Sequence, residues 1–253
     1  MRNLSKHLRR AALSHARFES ESLERTAALQ NLSQQLLQVQ DEERRRVARD
    51  LHDSTGQTLT ALKMNLVLLE GKLPRDQRTS GLLSEIEALA DQALQEIRTT
   101  SYLLHPPLLD EAGFASAAQW FVEGFAKRSG VKVRMDIEAQ SERLPIAIET
   151  ALFRVLQEGL TNAHRHSGAL EISIRFGRQL EVATLEIRDC GRGIPPAVLA
   201  RLRASSSEAG VGLAGMRERL NKLNGKLEIE ADDHGTLLRA VIPLPAKYRS
   251  TAA

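Results

Sequence analysis

Cysteine, aromatic residues and long apolar runs are all scarce in this sequence. Its single cysteine, Cys190, excludes an internal disulfide and a cysteine-rich metal site, and favours a reducing cytosol. Aromatic residues make up 4% of the chain and charged residues 26%, a balance that favours long helices with ion pairs over an all-β sandwich. No run approaches the roughly 18 apolar residues that cross a bilayer, and the N-terminus lacks a signal peptide's apolar segment. The sequence therefore predicts a helix-rich, cytoplasmic protein.

Neither sign of charge predominates, since 35 Lys and Arg residues stand against 32 Asp and Glu residues. Because the positive and negative charges nearly balance, the sequence predicts no direct binding of nucleic acid. The basic excess is local, in residues 1–18. Such a flank can lie just cytoplasmic of a membrane span, although a solvated helix face is the simpler interpretation. Anchoring of a longer protein to the inner membrane through an upstream segment is left open.

A helical pattern extends from about residue 22 through many turns. Apolar residues between 29 and 39 are spaced by 3, 4 and 3, which is the seam of a coiled coil. Between residues 43 and 59 the spacing becomes four, and the alternation of 3 and 4 then returns. The seam is thus re-phased around His52, and such breaks alter supercoiling locally. His52 follows the seam residue Leu51, so we expect its side chain to be accessible.

A second apolar helix follows a turn between Gly71 and Thr79, and ends at Pro106 and Pro107. The two helices form an αα-hairpin whose apolar stripe needs a partner. Two hairpins from two chains would close a four-helix bundle, so we expect a homodimer. The alternative is a monomer that folds the stripe onto its own second domain.

The second half of the chain mixes helices with alternating apolar strands. Strand pairs separated by helices indicate a mixed sheet covered on one face, which is an α/β sandwich. The predicted fold class is therefore α + α/β, with a coiled coil and dimeric bundle before the sandwich. The predicted segments are a coiled-coil signalling segment (1–40), a dimerisation hairpin (41–106), a linker (107–112), the α/β domain (113–246, with its first helix near 113–129) and a disordered tail (247–253).

Three polar clusters in the α/β domain share one chemical theme. Glu158 and Asn162 lie one helical turn apart, and a carboxylate beside an amide can hold a hydrated Mg²⁺. Asp189 directly follows a strand, where its carboxylate can accept a hydrogen bond from an exocyclic amine. Gly191 and Gly193 would let the backbone approach a flat base. Each motif by itself is more simply a tight turn or a solvated helix face.

The third cluster is the glycine-rich segment that opens a helix at residues 210–215. Unpaired N–H groups and the helix dipole at such a start suit phosphate, although GxGxxG alone is more often only a cap. The order E-x-x-x-N, DxGxG, GxGxxG along one chain is far more specific than any single motif.

With these three motifs in this order, the chain resembles a sensor histidine kinase. Residues 113–245 resemble its ATP-binding domain, which is of the gyrase, heat-shock-chaperone and mismatch-repair ATPase type. The resemblance implies ATP and Mg²⁺ as cofactors, with Asn162 and Glu158 on the metal and a mobile lid between residues 193 and 210. Glu158 polarising water for ATP hydrolysis is the alternative role. The implied cofactor-binding residues are Asn162, Arg165, His166, Asp189, Gly191, Gly193, Gly210, Gly212, Leu213, Gly215 and Thr236; for Arg165 and His166 a solvated helix end is equally compatible.

The segment EERRRVARDLHDSTGQ, residues 42–57, resembles the histidine box of the nitrate-sensor and desaturase-thermosensor class of these kinases. In that class an acid follows the histidine at once and a glutamine comes four residues later. The resemblance implies that His52 accepts the phosphoryl group and that Asp53 is its base or orienting partner. Asp53 and Gln57 would together position water to dephosphorylate a response regulator.

The predicted function is therefore a dimeric, ATP-dependent protein-histidine kinase that phosphorylates His52, transfers the group to an aspartate of a response regulator, and also dephosphorylates that regulator. A plain ATPase or serine kinase on the same fold would leave the histidine box unexplained. A non-catalytic dimerisation scaffold is disfavoured because His52, Asn162 and Asp189 are all intact. Residues expected to have no chemical role are His7, His15, His105, His164 and His234, together with Cys190 as a small apolar filler.

Overall fold

The computed structural model describes residues 25, 28–29, 31–32, 35–72, 77–137, 143–179, 181–204 and 211–248. The chain divides into two compact units, Met1–Glu42 and Glu43–Ala253. The described residues of the first unit are helical, and the apolar side chains of the predicted seam are more than half exposed. A coiled-coil partner for them stays a prediction. Sequence-based expectations that lie outside the described residues concern the basic N-terminus with His7 and His15, Gly210, the serines 205–207 of the lid, and residues 249–253 of the tail.

The helix that carries His52 is widened where the apolar spacing changes. Helix α1, residues 43–50, continues through a π-turn at Leu51–Gly56 into α2, Gln57–Glu70. A π-turn inserts one extra residue into the helical ladder, and such turns occur often at functional sites. The hydroxyl of Thr58 donates to the carbonyl oxygen of Ser54 at 2.8 Å. The π-turn therefore absorbs the re-phasing that the sequence places around His52.

Helix α3, Gln77–Leu104, packs along α2 and forms the predicted hairpin. Lys63 Nζ lies 2.5 Å from Asp91 Oδ1 across the two helices. A groove of about 910 Å³ between them is lined by apolar side chains that include Met64, Val67 and Leu94. Much of the apolar stripe is exposed, at Leu62, Met64, Val67, Leu68, Leu69, Leu82, Ile86 and Leu89. Among the described residues, no helix is long and apolar enough to cross a membrane.

Residues 107–112 were predicted to be a linker before the first helix of the α/β domain. They instead form the first turns of that helix, α4, Pro107–Ser129. Pro106 is extended, with ψ of 124°, and ends α3, while Pro107 occupies a first-turn position where its missing N–H costs nothing. Gly113, with φ of 84°, interrupts the helix. The Pro-Pro pair therefore marks a helix start, and the kink at Gly113 is the irregular point of this segment.

The sheet confirms the mixed α/β sandwich. Its strand order is β1-β2-β3-β5-β4, with β1 parallel to β2 and the other pairs antiparallel. The strands are β1 Lys132–Ile137, β2 Glu171–Gln179, β3 Val182–Asp189, β4 Lys226–Asp232 and β5 Gly235–Pro243. The remaining helices are α5 Ile146–Asn162, α6 Pro196–Ala204 and α7 Val211–Lys222, with a second π-turn at Ala163–Ser167 and a short 3₁₀ turn at Ala246–Tyr248.

Helices α4, α5 and α7 bury one face of this sheet. Along β2 the side chains of Ile172, Ile174 and Phe176 point into the core, where Phe176 meets Phe114 with ring centroids 4.8 Å apart. The opposite face carries charges, such as Arg239, whose Nε donates to Glu186 at 2.7 Å. Because one face of the sheet is buried and the other is charged, the candidate site residues lie at the edges of the core, where strands and helices end.

Candidate nucleotide site and phosphoacceptor helix

His52 is exposed within the first π-turn, and Asp53 beside it is exposed as well. Gln57 begins α2 and is also exposed. Within the described part of the chain, no hydrogen bond or ion pair holds His52 or Asp53, so the pairing of the two stays a prediction. The three side chains nevertheless lie on a solvent-accessible stretch of helix.

Helix α5 brings Glu158 and Asn162 to the sheet. Most of α5 is buried, whereas these two polar residues are half-buried near its end. Gly159 allows the close approach, because a Cβ there would lie 2.5 Å from Ile187 Cδ1 on β3. Gly159 belongs to none of the three sequence motifs. Its one signal in the sequence is a glycine inside an otherwise apolar helix, which costs helix stability and so suggests a packing reason.

Glu158 also meets the glycine-rich start of α7. A Cβ on Gly212 would lie 1.7 Å from Glu158 Oε1, so the carboxylate rests directly against the first turn of α7. Leu213 packs against the core, and Gly215 is half-buried one turn into the helix. Two of the three predicted clusters therefore converge, although more than 50 residues separate them in the chain.

Glu158 and Asn162 supply few protein oxygen ligands, a number that suits Mg²⁺. Among the described residues there is no group of three or more His, Cys, Asp or Glu side chains that could hold a metal. A site built from Glu158 and Asn162 alone leaves most coordination positions to water and phosphate oxygens. Mg²⁺ is characteristically bound in this way, through one or two protein ligands together with substrate phosphates.

Asp189 is the buried carboxylate of the site, with 7% of the residue exposed at the end of β3. Its Oδ1 accepts a hydrogen bond from the backbone N–H of Gly191 at 3.0 Å. No described residue donates to its Oδ2. The sheet places Thr236 of β5 directly beside it, in register with Asp189. A largely buried carboxylate with one oxygen fixed and the other available is suited to a neutral donor such as an exocyclic amine.

The glycines after Asp189 have a structural reason that differs from the predicted one. A Cβ on Gly191 would lie 2.4 Å from the carbonyl oxygen of Ser167, and one on Gly193, where φ is 66°, would lie 1.9 Å from that of Asp232. These glycines therefore let the loop pack against protein backbone, and contact with a base stays a prediction.

Arg192 ties the same loop to the second π-turn. Its backbone N–H donates to the carbonyl oxygen of Ser167 at 3.0 Å, and its Nε donates to that of His166 at 2.7 Å. Arg165 and His166 are exposed on this π-turn, beyond Asn162. The motif around Arg192 can be read from the sequence, but its contact with Ser167 cannot, since only the folded chain brings the two residues together.

Gly235 supports Asp189 from the neighbouring strand and gives a testable prediction. Its φ is 136°, and a Cβ there would lie 1.9 Å from the carbonyl oxygen of Asp189. We expect Gly235→Ala to lower the free energy of unfolding by about 2–3 kcal/mol, because backbone strain adds to a backbone clash. Gly130→Ala is the matched control, since φ there is 71° but nothing lies within 4 Å. Equal losses in urea unfolding of both variants would contradict this account.

Two expectations about single residues are wrong. Cys190 was predicted to be a small apolar filler but is exposed. His105 was expected to have no role, yet it is 3% exposed and its Nε2 lies 3.2 Å from Asp110 Oδ1. Burial lowers the pKa of His105, while the hydrogen bond to Asp110 opposes that shift. A buried histidine that is hydrogen-bonded to Asp110 has a structural role rather than an incidental one.

Known protein families match both the helical hairpin and the α/β domain. The family described as "Histidine kinase" matches residues 43–109, and the family "Histidine kinase-, DNA gyrase B-, and HSP90-like ATPase" matches residues 147–246. The first range contains the π-turn with His52, and the second contains Glu158, Asn162 and Asp189. The chain belongs to the histidine kinases.

Curated relatives of this chain are likewise named as histidine kinases. Sensor histidine kinase MctS of Rhizobium johnstonii is 32% identical over 220 residues, which are 86% of this chain and 47% of the relative. Signal transduction histidine-protein kinase/phosphatase DegS of Brevibacillus brevis is 31% identical, over 88% of this chain and 57% of the relative. Kinase/phosphatase UhpB of Salmonella typhimurium is 33% identical, over 94% and 46%. This histidine kinase thus spans about half the length of these relatives.

Proposed function

We propose that this chain is the transmitter part of a two-component system, in which it phosphorylates itself on His52 with ATP and passes the phosphoryl group to an aspartate of a response regulator. The observation that carries the proposal is that one chain combines an exposed histidine on a π-turn with a buried, half-satisfied carboxylate at Asp189. His52 would be the acceptor of the phosphoryl group, and the carboxylate of Asp189 would recognise the adenine base of the nucleotide.

In the transfer step, the lone pair of a ring nitrogen of His52 attacks the γ-phosphorus of ATP. A nitrogen–phosphorus bond forms, the bond from the γ-phosphorus to the bridging oxygen breaks, and ADP leaves with the bonding pair. The imidazole must then lose a proton from its other nitrogen. Asp53, next in the chain, is the proposed acceptor of that proton and orients the ring beforehand.

The nucleotide would be held by the converging clusters around α5 and α7. Asp189 accepts a hydrogen bond from the adenine amine, and the start of α7 with Gly212 faces the phosphates. Glu158 and Asn162 would hold Mg²⁺, which would neutralise charge that develops on the phosphates. Arg165 and His166 lie one turn beyond Asn162, where they can approach the same phosphates.

The reverse activity, dephosphorylation of the response regulator, is assigned to Asp53 and Gln57. Both side chains are exposed on the helix that a receiver domain would contact, and a glutamine amide can orient water by donating and accepting at once. Two of the curated relatives, DegS and UhpB, are named as kinase/phosphatases. We therefore propose that the chain has both activities.

A homodimer is the proposed assembly because the hairpin leaves an apolar surface without a partner. The groove between α2 and α3 and the exposed residues from Leu62 to Leu89 form one stripe along the hairpin. A second copy of the hairpin, placed antiparallel or parallel, would bury this stripe in a four-helix bundle. The exposed seam residues of the first unit would extend the same pairing as a coiled coil.

The proposal is tested by the chemistry of the phosphorylated protein. After incubation with γ-labelled ATP and Mg²⁺, we expect label on the chain that survives alkali and is lost in acid, as a phosphoramidate is. Omission of Mg²⁺, with a chelator present, should reduce the label to background. Acid-stable label would indicate a serine kinase, and steady phosphate release without labelled protein would indicate a plain ATPase.

A further inference from the structure

Asp110, in the first turn of α4, binds two different elements of the hairpin at once. Its Oδ2 accepts from Arg45 Nε on α1 at 2.9 Å, and its Oδ1 lies 3.2 Å from Nε2 of His105, just after α3. Burial lowers the pKa of His105, and the guanidinium that pairs with Asp110 on the hairpin is that of Arg45. One carboxylate thus joins the beginning of the histidine-bearing helix to the end of the second helix.

The backbone around Asp110 is in turn bound to the ATP-binding domain. Arg143 donates from Nη1 to the carbonyl oxygen of Asp110 and from Nη2 to that of Leu109, both at 2.8 Å. Arg143 also forms an ion pair at 2.5 Å with Glu149, a carboxylate with 2% of its side chain exposed at the start of α5. The kink at Gly113 lies against this pair, because a Cβ there would be 3.0 Å from both Arg143 Nε and Glu149 Oε1. The series Arg45, Asp110, Arg143, Glu149 therefore connects α1 to α5.

Two further contacts hold the ATP-binding domain in the same arrangement against the hairpin. Tyr102 of α3 stacks on Trp120 of α4 with ring centroids 3.8 Å apart. Gln157 of α5, the residue before Glu158, donates from Nε2 to the carbonyl oxygen of Leu103 at 3.0 Å. The domain is thus docked on the last turn of α3, and the Arg45 pair extends this contact to α1.

In this docked arrangement the π-turn that carries His52 packs against α2 and α3, whereas α5 packs against α4, α7 and the sheet. The His52 side chain is exposed, and no hydrogen bond within the described part of the chain joins it to the nucleotide-site residues. In-line transfer requires the reacting atoms to approach within about 3–3.5 Å, so transfer to His52 needs the nucleotide-binding elements to come to the π-turn. Arg45 precedes His52 on the same helix by seven residues, about 10 Å along the axis, so a movement of α1 displaces both.

We propose that Asp110 is a positioning residue that latches the ATP-binding domain onto the hairpin, and that movement of α1 releases it through Arg45. The inference rests on the proposed kinase activity. The side chain of Arg45 is 42% exposed and that of Asp110 22%, so the pair is solvent-screened and contributes little net stability. A weak pair of this kind suits a reversible switch, because a small displacement of the helix is enough to break it.

The latch is tested with Asp110→Asn and Arg45→Gln in the full chain. We expect either variant to raise the initial rate of autophosphorylation about two- to fivefold, the range that an exposed ion pair can supply, with unchanged affinity for ATP. The double variant should show the same increase as the single ones, because both remove one interaction. Arg45→Lys, which keeps the charge, should stay near the wild-type rate. Arg46→Gln is the matched control, since Arg46 pairs with Glu43 and Asp50 on its own helix.

A second measurement monitors docking of the ATP-binding domain and does not depend on kinase activity. Trp120 is the single tryptophan of the 253-residue chain, so its fluorescence reports the stack on Tyr102. We expect Arg45→Gln and Asp110→Asn to increase quenching of this emission by acrylamide, and Arg46→Gln to leave it unchanged. Unchanged quenching in both latch variants, or rates equal to or below the wild type, would overturn the latch. A quenching response in a protein that forms no phosphohistidine would instead refute the proposed function alone.

Discussion

Replacing His52 with glutamine is expected to abolish the phosphorylated form of this protein. Glutamine keeps a polar, helix-compatible side chain at an exposed position but offers no ring nitrogen with a nucleophilic lone pair. Because His52 is exposed and unbonded among the described residues, the substitution should leave the melting temperature and the affinity for ATP unchanged. The measurement is alkali-stable, acid-labile label from γ-labelled ATP, which should fall to background.

The matched controls are His164→Gln and His234→Gln, two exposed histidines in the ATP-binding domain. Both should retain wild-type label, since neither lies on the hairpin. Label that persists in the His52 variant, or that disappears in a control while ATP still binds, would place the acceptor elsewhere. Mixing the His52 variant with an Asp189 variant would then show whether one protomer can phosphorylate the other.

The helix around His52 shows how far a periodic pattern can predict structure. The change to a spacing of four between residues 43 and 59 predicts that the seam is re-phased there, and the π-turn at Leu51–Gly56 lies at the same place. The pattern could not predict the form of the adjustment, because a bend, a local change of supercoil or a π-turn all re-phase a seam. The hydrogen bonds around one turn decide among them.

The motifs of the candidate nucleotide site can be read from the sequence, but the glycine contacts that support it cannot. Asp189 and Asn162 stand in local patterns with known spacing, so the sequence alone singles them out as candidates, and their roles stay predictions. Gly159 and Gly235 matter through backbones or side chains that approach from distant parts of the chain, Ile187 and Asp189 respectively. A single sequence contains no distances of this kind, and so these contacts appear only when the sheet order and register are known.

The segment after α3 was misjudged because proline has two meanings. A Pro-Pro pair ends one helix, but a proline in the first turn also begins the next one well, and the sequence does not say which applies. The same error hid His105, whose burial follows from α4 packing directly after it. The proline pair predicts a linker, whereas Asp110 and Arg143 give this segment an ordered set of contacts.

Replacing Asp189 with asparagine is expected to reduce affinity for ATP by about 10- to 100-fold, the range for losing a hydrogen bond to a charged acceptor. The backbone N–H of Gly191 can still be satisfied by the remaining oxygen, so the loop should keep its structure. The second oxygen, however, becomes an amide nitrogen, which cannot accept a hydrogen bond from the adenine amine. Calorimetric titration should show the same loss for ADP as for ATP, because the two share the base.

The discriminating comparison is with a nucleotide that lacks the amine at that position. GTP presents a carbonyl oxygen there, so the asparagine variant should narrow the preference for ATP over GTP rather than weaken both equally. Asp136→Asn is the matched control, since Asp136 is 81% exposed on β1 and lies 3.8 Å from Arg175. Equal losses for ATP and GTP would mean that Asp189 supports the fold of the loop instead of reading the base. Melting temperatures of both variants near the wild type would confirm that the comparison concerns binding, because a collapsed loop would lower stability as well.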